Sequence, residues 1–279
     1  SEKLEGFEEY HSNSHASPSS FCKLERCPRM FFYHYGIGLR EKEHILAFDF
    51  GTGIHYGLPF AHREDVDGAL SAFKSIWGEQ DELGDKKRNS FRARAMLEDF
   101  SKHHRGSTLY KIIQPVKQEG VQAREEISED EINFAIDVGI RNPVVGRIDA
   151  FGFREDFGDY CPVEYKTSSR LSVDFLAGFA LTPQVLTYVL ALKMLSDKEI
   201  NGGIIEGLCV AIKKVETLGM FLRVSNQSIE DIVGWYQRLD KTLERYENSG
   251  DFPKNLSMCT WMGVSFSTNV SERRLEIST

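Results

Sequence analysis

The first third of the chain places its hydrophobic residues at helical spacing. Ser17 can cap a helix that starts at Pro18, and Pro28 is expected to kink or end it. The segment "FDFGTGIHYGLPFAH" predicts a glycine-rich turn leading into a helix. The segments "VDGALSAFKSIWGEQ" and "RNSFRARAMLEDFSKHH" predict two further helices, the second of which carries much of the basic stretch. We therefore expect a helical portion over residues 17–115.

From about Val121 the pattern changes to an alternation of apolar and polar residues, which predicts strands. Four strands are expected at "VQAREEIS", "NFAIDVGI", "VVGRIDAFGF" and "YCPVEYKTS", and the acidic "REDFGD" between the last two predicts a hairpin loop. A helix from Val173 to Leu195 should break at Pro183. Two more strands, "GGIIEGLCVAIKK" and "GMFLRVS", precede a long helix that Ser228 is expected to cap and Gly250 to end.

These elements predict an α/β fold in which a mixed sheet carries helices on its faces. The expected organisation is a loose N-terminal leader over residues 1–16 and a single domain over residues 17–279. Within that domain we expect the helical portion to 115, a sheet core with helices over 116–250 and a C-terminal segment over 251–279. No run approaches eighteen apolar residues and the N-terminus has no signal-peptide centre, so we expect no membrane span and a cytoplasmic protein.

Net charge modifies this picture only locally. The formal charge of −8 argues against broad nonspecific binding to nucleic acid. Residues 86–111 reverse that sign, with eight Lys and Arg against two acidic residues. This stretch predicts a track for phosphates, along which Phe91 and Tyr110 could stack on bases, although a solvated helix face remains an equal alternative. The nucleic-acid-binding candidates are Lys86, Lys87, Arg88, Arg92, Arg94, Lys102 and Arg105.

The candidate chemistry lies on two adjacent predicted strands. Glu164 and Lys166 are two residues apart and therefore point to the same face of their strand, and Asp149 can meet them from the strand before. Two neighbouring carboxylates repel each other, and a divalent cation such as Mg²⁺ would relieve that repulsion. A metal-polarised phosphoryl oxygen with Lys166 beside it suits phosphodiester hydrolysis. An exposed salt bridge on a hairpin is the alternative.

An Asp followed after a variable gap by Glu-x-Lys resembles the PD-(D/E)xK nuclease superfamily, and more narrowly its RecB-type branch with Cas4 and AddB-like nucleases. Four further pieces agree in order along the chain from Ser17 to about Leu192. They are "SPSSFCKLERCPRMFFYHY" for the N-terminal helix, "GTGIHYGL" for a Gly-x-x-His helix start, "GRIDAF" for a Gly-x-x-Asp strand and "PQVLTYVLAL" for a Gln-x-x-x-Tyr helix.

This resemblance implies a restriction-endonuclease-like core and a nuclease that uses Mg²⁺ or Mn²⁺. It implies His55, Asp149 and Glu164 as metal ligands, and Asp149, Glu164, Lys166, Gln184 and Tyr188 as catalytic residues. The implied activity is hydrolysis of DNA phosphodiester bonds, as an exonuclease on single strands or ends, in recombination, repair or phage and defence DNA processing. Other recombination or repair subunits are the implied partners.

Many members of this branch hold an iron–sulfur cluster with one upstream and three C-terminal cysteines, and four thiolates are the usual requirement. Cys27 or Cys22 could supply the first, but the C-terminal region has only Cys259. We therefore expect no cluster. Two other functions stay open at this point: a catalytically weak module that binds DNA ends within a larger complex, and a nuclease that acts on RNA.

Overall fold

The computed structural model describes residues 16–38, 46–107, 109–113 and 131–255. Its helices are α1 (Pro18–Arg26), α2 (Pro28–Phe31), α3 (Leu46–His62), α4 (Val66–Trp77), α5 (Ser90–Gly106), α6 (Val173–Ala177), α7 (Pro183–Leu195) and α8 (Asn226–Ser249). Its strands are β1 (Lys111–Ile112), β2 (Ile132–Ile136), β3 (Val144–Ile148), β4 (Ala150–Arg154), β5 (Asp159–Ser168), β6 (Gly202–Cys209) and β7 (Thr217–Arg223). The strand expected at "VQAREEIS" lies outside these ranges. Within them, no helix combines the length and apolar character needed to cross a bilayer.

Five strands form one mixed sheet in the order β1-β4-β5-β6-β7. β5 and β6 run parallel, and every other neighbouring pair is antiparallel. A parallel step needs a crossover connection, and α6 and α7 supply it. The break between these two helices falls before Pro183, as predicted. β2 and β3 form a separate antiparallel pair. The predicted mixed sheet flanked by helices, with a helical N-terminal portion, is confirmed.

Helices cover both faces of the central strands. On one face, α3 to α5 pack Phe50, Phe73 and Trp77 into a core that includes Val163 and Ile204. On the other face, Leu176 of α6 and Val185 of α7 pack on Ile205 and Leu222, among others. Every residue of β6 is buried, as expected for a strand covered on both sides. A polar side chain on these strands is therefore taken out of water unless it lies at an open edge.

The glycine-rich turn predicted before α3 is wrong, because Gly51, Gly53 and Gly57 lie inside that helix. Two of these glycines let α4 approach closely. A Cβ on Gly53 would lie 2.8 Å from the Phe73 ring, and one on Gly57 would lie 2.8 Å from the carbonyl oxygen of Ala69. Glycine costs about 1 kcal/mol in a helix interior, which the packing of α3 on α4 offsets. His55 consequently lies in the middle of a helix and not at its start.

Two smaller predictions also change. Ser225, not Ser228, caps α8, because the Ser225 hydroxyl accepts a hydrogen bond from the Ser228 backbone N–H at 3.1 Å. The single strand expected across "VVGRIDAFGF" is divided at Asp149 into β3 and β4, which belong to different sheets. Gly250 does end α8, in the left-handed conformation that favours glycine.

Candidate active site

Asp149 lies between β3 and β4, two consecutive strands that pair with different partners. We call this position the fork. Before it, β3 pairs with β2, and after it, β4 pairs with β5 as far as the Ala150–Val163 pair. Beyond Val163, β6 is the one strand of the described chain that pairs with β5. The Asp149 carboxylate lies at the edge of β5 beyond the last pair with β4. There its Oδ2 accepts a hydrogen bond from the Tyr165 backbone N–H at 2.9 Å. The fork therefore brings a carboxylate to the edge of β5, where it accepts a hydrogen bond from the backbone of that strand.

Glu164 and Lys166 lie on the α7 face of β5, and Gln184 joins them. The Lys166 ammonium donates a short hydrogen bond to Glu164 Oε1 and another to Gln184 Oε1 at 3.1 Å. The Gln184 amide donates to Glu164 Oε1 at 2.8 Å and to the Tyr188 hydroxyl at 3.0 Å. Gln184 and Tyr188 share one face of α7 because they are four residues apart. The start of α7 at Pro183 places Gln184 in the first turn, next to the strand end.

His55 approaches Asp149 from α3, with Nδ1 3.6 Å from Asp149 Oδ2, which is an ion-pair distance and too long for a hydrogen bond. Burial is the largest single influence on His55 and alone would lower its pKa, but the attraction of Asp149 and the negative charge of Glu164 together outweigh it, and the pKa is raised. Burial alone would raise the pKa of Asp149, but His55, the Tyr165 backbone N–H and Lys166 hold it below its ordinary value. The two side chains thus stabilise each other's charged form.

Glu164 has the opposite electrostatic environment. Burial is the largest cause that raises the pKa of Glu164 to about 7, and the negative charge of Asp149 adds to it, against Lys166. Its Oε2 atom is buried without a hydrogen-bond partner. A buried carboxylate oxygen without a partner costs free energy unless something else neutralises it. Asp149 is therefore held in its ionised form, whereas burial and the charge of Asp149 disfavour the ionised form of Glu164.

The residues at the fork fit a divalent cation. Two carboxylates, one with a free buried oxygen, and a nearby imidazole form a donor set that hard and borderline divalent metals accept. Within the described ranges, no three His, Cys, Asp or Glu side chains are already arranged as a metal-ligand set. That agrees with the engagement of Glu164 Oε1 by Lys166 and Gln184, which leaves Oε2 as the oxygen available to a cation.

A second polar cluster lies on the opposite face of β5 and β6, and the sequence analysis missed it. The Tyr165 hydroxyl lies 2.7 Å from His62 Nε2. Next to it is the fully buried Glu206, and each of its two carboxylate oxygens lies 2.9 Å from His104 Nε2. Glu206 Oε2 also accepts a hydrogen bond from the Tyr110 hydroxyl at 2.5 Å. A glutamate inside the apolar run "GGIIEGLC" was the one available signal, because a buried carboxylate requires partners. We call these five residues the rear cluster.

The basic stretch on α5 and before it is partly engaged with the protein. Arg88 forms an ion pair with Asp85, and Arg105 forms one with Glu64. Arg94 forms ion pairs with both Asp67 and Glu98. Arg92 donates to the carbonyl oxygens of Ala211 and Lys214. The ammonium groups of Lys86, Lys87 and Lys102 form no ion pair within the described residues. A phosphate track along this stretch stays a prediction. Among the described residues, Arg92 has carbonyl partners only, and the ammonium groups of the three lysines have neither a carbonyl nor a carboxylate partner.

The two aromatic residues proposed beside that track differ in exposure. Phe91 is exposed, whereas Tyr110 is buried in the rear cluster and cannot stack on a base. The prediction for Tyr110 is therefore wrong, because a chain turn after α5 carries it inward to Glu206. Of the cysteines considered for a cluster, Cys22, Cys161 and Cys209 are free thiols, Cys27 is buried directly before α2, and Cys259 lies outside the described residues.

Comparison with known proteins gives the family. The family model of the PD-(D/E)XK nuclease superfamily matches residues 15–261. A crystal structure of a candidate exonuclease from Eubacterium rectale is similar over 91% of this chain and 90% of its own, at 12% identity and a TM-score of 0.48. The crystal structure of SSO0001 aligns over 79% of this chain and 84% of its own, at 16% identity and a TM-score of 0.30. A search of curated proteins finds no match. Because the family model spans most of the sequence, including Asp149, Glu164 and Lys166, the chain belongs to the PD-(D/E)XK nuclease superfamily.

Proposed function

We propose that this nuclease depends on a divalent metal and hydrolyses DNA phosphodiester bonds, as an exonuclease on single strands or DNA ends. The observation that carries the proposal is the fork at Asp149, where the partly buried Asp149 carboxylate, the buried Glu164 carboxylate and Lys166 meet at one strand edge, and one oxygen of Glu164 has no hydrogen-bond partner. The ordered motifs from Ser17 to Leu192 support the RecB-type branch. That branch makes recombination, repair or phage and defence DNA processing the proposed context.

Asp149 and Glu164 would hold the cation, with His55 as a third ligand. A divalent cation there would polarise the phosphoryl oxygen and lower the pKa of the attacking water. Mg²⁺ suits the two carboxylates, and a histidine ligand extends the choice to Mn²⁺. No iron–sulfur cluster is part of the proposal.

The remaining residues position these groups. The Lys166 ammonium stands where it can orient the attacking water or stabilise negative charge that develops on the phosphate. Gln184 touches Lys166 and Glu164 simultaneously, so it holds the orientation of the ion pair that these two groups form. Tyr188 accepts a hydrogen bond from Gln184 and thereby holds its amide in that orientation. Gln184 and Tyr188 therefore act through the groups they orient.

The test is cleavage of labelled substrates by the purified chain. Linear single-stranded DNA, duplex DNA, circular single-stranded DNA and matched RNA are each incubated with Mg²⁺, Mn²⁺ or EDTA. We expect linear DNA to be degraded with either metal, circular DNA to persist and EDTA to abolish cleavage. Cleavage of circles would indicate an endonuclease, and preferred cleavage of RNA would change the substrate. DNA-end binding without cleavage under any condition would replace the proposal with an end-binding module.

A further inference from the structure

Two elements that contact the C-terminal half of β5, α3 and the turn before α7, carry exposed apolar side chains. Phe48 of α3 is 69% exposed, and Leu181, just before α7, is 75% exposed. Between Leu181 and α6 lies Phe179, which is partly buried. Single exposed apolar residues are normal on any surface. The position of these three next to a catalytic site gives them a specific use.

Phe48 belongs to the face of α3 that lines the active site. It precedes His55 by seven residues, which is about two helical turns and about 10 Å along the helix. Gly51 lies between them on the same face, where an added Cβ would lie 3.3 Å from the Thr167 hydroxyl. Thr167 directly follows Lys166 on β5. Phe48 therefore stands one turn beyond this contact, at the end of the catalytic strand.

Phe179 and Leu181 flank the same strand end from the other face of the sheet. The Lys166 ammonium lies 5.8 Å from the centre of the Phe179 ring, and that ring packs on Phe175 at 5.3 Å. Leu181 lies three residues before Gln184, in the turn that leads into α7. This turn is hydrogen-bonded to itself, since the Thr182 N–H and hydroxyl both bind the Phe179 carbonyl. Phe179 is consequently held beside Lys166, and Leu181 follows it in the same turn.

Arg170 supplies a positive charge just beyond the same strand end. Arg170 is exposed two residues past the end of β5, and its backbone N–H is fixed by the Ser168 hydroxyl at 3.0 Å. Within the described part of the chain, no carboxylate pairs with its guanidinium. An unpaired guanidinium beside a phosphodiester-cleaving site is complementary to a substrate phosphate.

We propose that Phe48 and the turn containing Phe179 and Leu181 form a two-sided platform for unpaired nucleobases, with Arg170 on a neighbouring phosphate. This inference rests on the proposed nuclease function and specifies its substrate. Bases stack on aromatic side chains regardless of sequence, because every base has a π-face. In a duplex those faces are covered by the neighbouring base pairs. The platform therefore selects single strands and frayed ends, and reads no sequence.

The test separates base stacking from phosphate binding. Anisotropy in EDTA measures the affinity of the whole chain for a labelled thymidine oligomer and for an abasic oligomer of equal length, which has the phosphates without the bases. We expect the wild-type chain to bind the thymidine oligomer about 10-fold more tightly, as one stacked base would give. Phe48→Ala should bring that ratio close to one, and Phe48→Trp should restore it. Arg170→Ala should weaken both oligomers equally.

Phe157 provides the matched control. It is 71% exposed and lies in the hairpin between β4 and β5, at the opposite end of the strand from Lys166. Phe157→Ala should leave the affinity ratio unchanged, and melting temperatures should show that every variant is folded. An unchanged ratio in Phe48→Ala, or equal binding of both oligomers by the wild-type chain, overturns the platform.

Parallel cleavage assays keep the two proposals distinguishable. If the chain cleaves DNA but the ratio of its affinities for the two oligomers does not depend on Phe48, the platform is overturned and the nuclease proposal stays intact. A ratio that depends on Phe48, without cleavage in Mg²⁺ or Mn²⁺, would support the platform on an end-binding module instead. Absence of any oligonucleotide binding would overturn both.

Discussion

Glu164 and Glu206 lie on neighbouring strands of the same sheet, and both are buried, yet they face opposite sides and have opposite surroundings. Both Glu206 oxygens have partners, from His104 and Tyr110. Glu164 has both of its donors on Oε1 and none on Oε2, with Asp149 as a second negative charge. A fully partnered buried carboxylate stabilises the fold, whereas one with an unpartnered oxygen and a carboxylate neighbour is suited to bind a cation.

The unpartnered oxygen alone does not mark the active site. Asp159 Oδ1 is also buried without a hydrogen bond, but its carboxylate lies beside Arg154, whose guanidinium is 3.4 Å from Oδ2. That charge is already compensated by a cation of the protein. Glu164 also has a cationic partner, Lys166, but it differs from Asp159 because a second carboxylate, Asp149, is its neighbour. The comparison therefore predicts different consequences for substitutions that are chemically the same.

The largest expected effect is loss of cleavage at the fork. Asp149→Asn, Glu164→Gln and Lys166→Met should each lower the cleavage rate by at least about 10²- to 10³-fold, because each removes a charge that the reaction uses. Glu164→Gln should leave the melting temperature unchanged or raise it, since it removes a buried, repelled charge. Rate and melting temperature are measured on the same preparations. Near-wild-type cleavage by any one variant would remove that residue from the mechanism.

The same substitution on the other face should act on stability. Glu206→Gln removes the charge that His104 and Tyr110 surround, and breaking a buried charge network costs about 3 kcal/mol or more. Denaturant unfolding measures the loss, with Glu230→Gln, at an exposed position of α8, as the control. Equal stability of Glu206→Gln and the wild-type chain would contradict the structural role assigned to the rear cluster.

His55 tests the metal side of the comparison. If it is a ligand, His55→Ala should weaken Mn²⁺ binding at least about 10-fold, since even outer-sphere partners of metal ligands have effects of that size. Calorimetric titration of Mn²⁺ into the chain without DNA gives this affinity directly, and high Mn²⁺ should restore part of the cleavage rate. A variant that is less stable but keeps the wild-type Mn²⁺ affinity would show that His55 only supports α3.

The features that the sequence could predict are those that depend on residues close to one another along the chain. The hairpin of β4 and β5, the shared face of Glu164 and Lys166 and the break at Pro183 depend on neighbouring residues, and all were predictable. The division of one alternating run at Asp149 was not, because β3 and β4 look like one strand until their partners are known. The rear cluster joins residues about 100 positions apart, such as His104 and Glu206. The glycines of α3 were misassigned because helix packing and turns both favour glycine.

The smallest expected effect is a change in how stability depends on pH, and it comes from His62 in the rear cluster. Burial is the main cause that lowers the pKa of His62 to about 2, with smaller contributions from His104 and Arg63. The unfolded chain titrates this group near its ordinary pKa of about 6.5. Below that pH the unfolded state binds one more proton than the folded state, so stability is present above pH 6.5 and falls as the pH decreases.

The expected contribution of His62 is a loss of about 1.4 kcal/mol per pH unit below its unfolded pKa. His62→Gln removes the titrating group, so unfolding free energies measured between pH 4.5 and 6.5 should fall less steeply than those of the wild-type chain, by about that amount per unit. Tyr165→Phe is the control: it removes the hydroxyl partner 2.7 Å away but keeps the histidine buried, so the wild-type slope should persist. A flattened slope in Tyr165→Phe would mean that the hydrogen bond, and not burial, keeps His62 neutral. Equal slopes in His62→Gln and the wild-type chain would show that His62 takes up its proton without unfolding, and that burial does not keep it neutral.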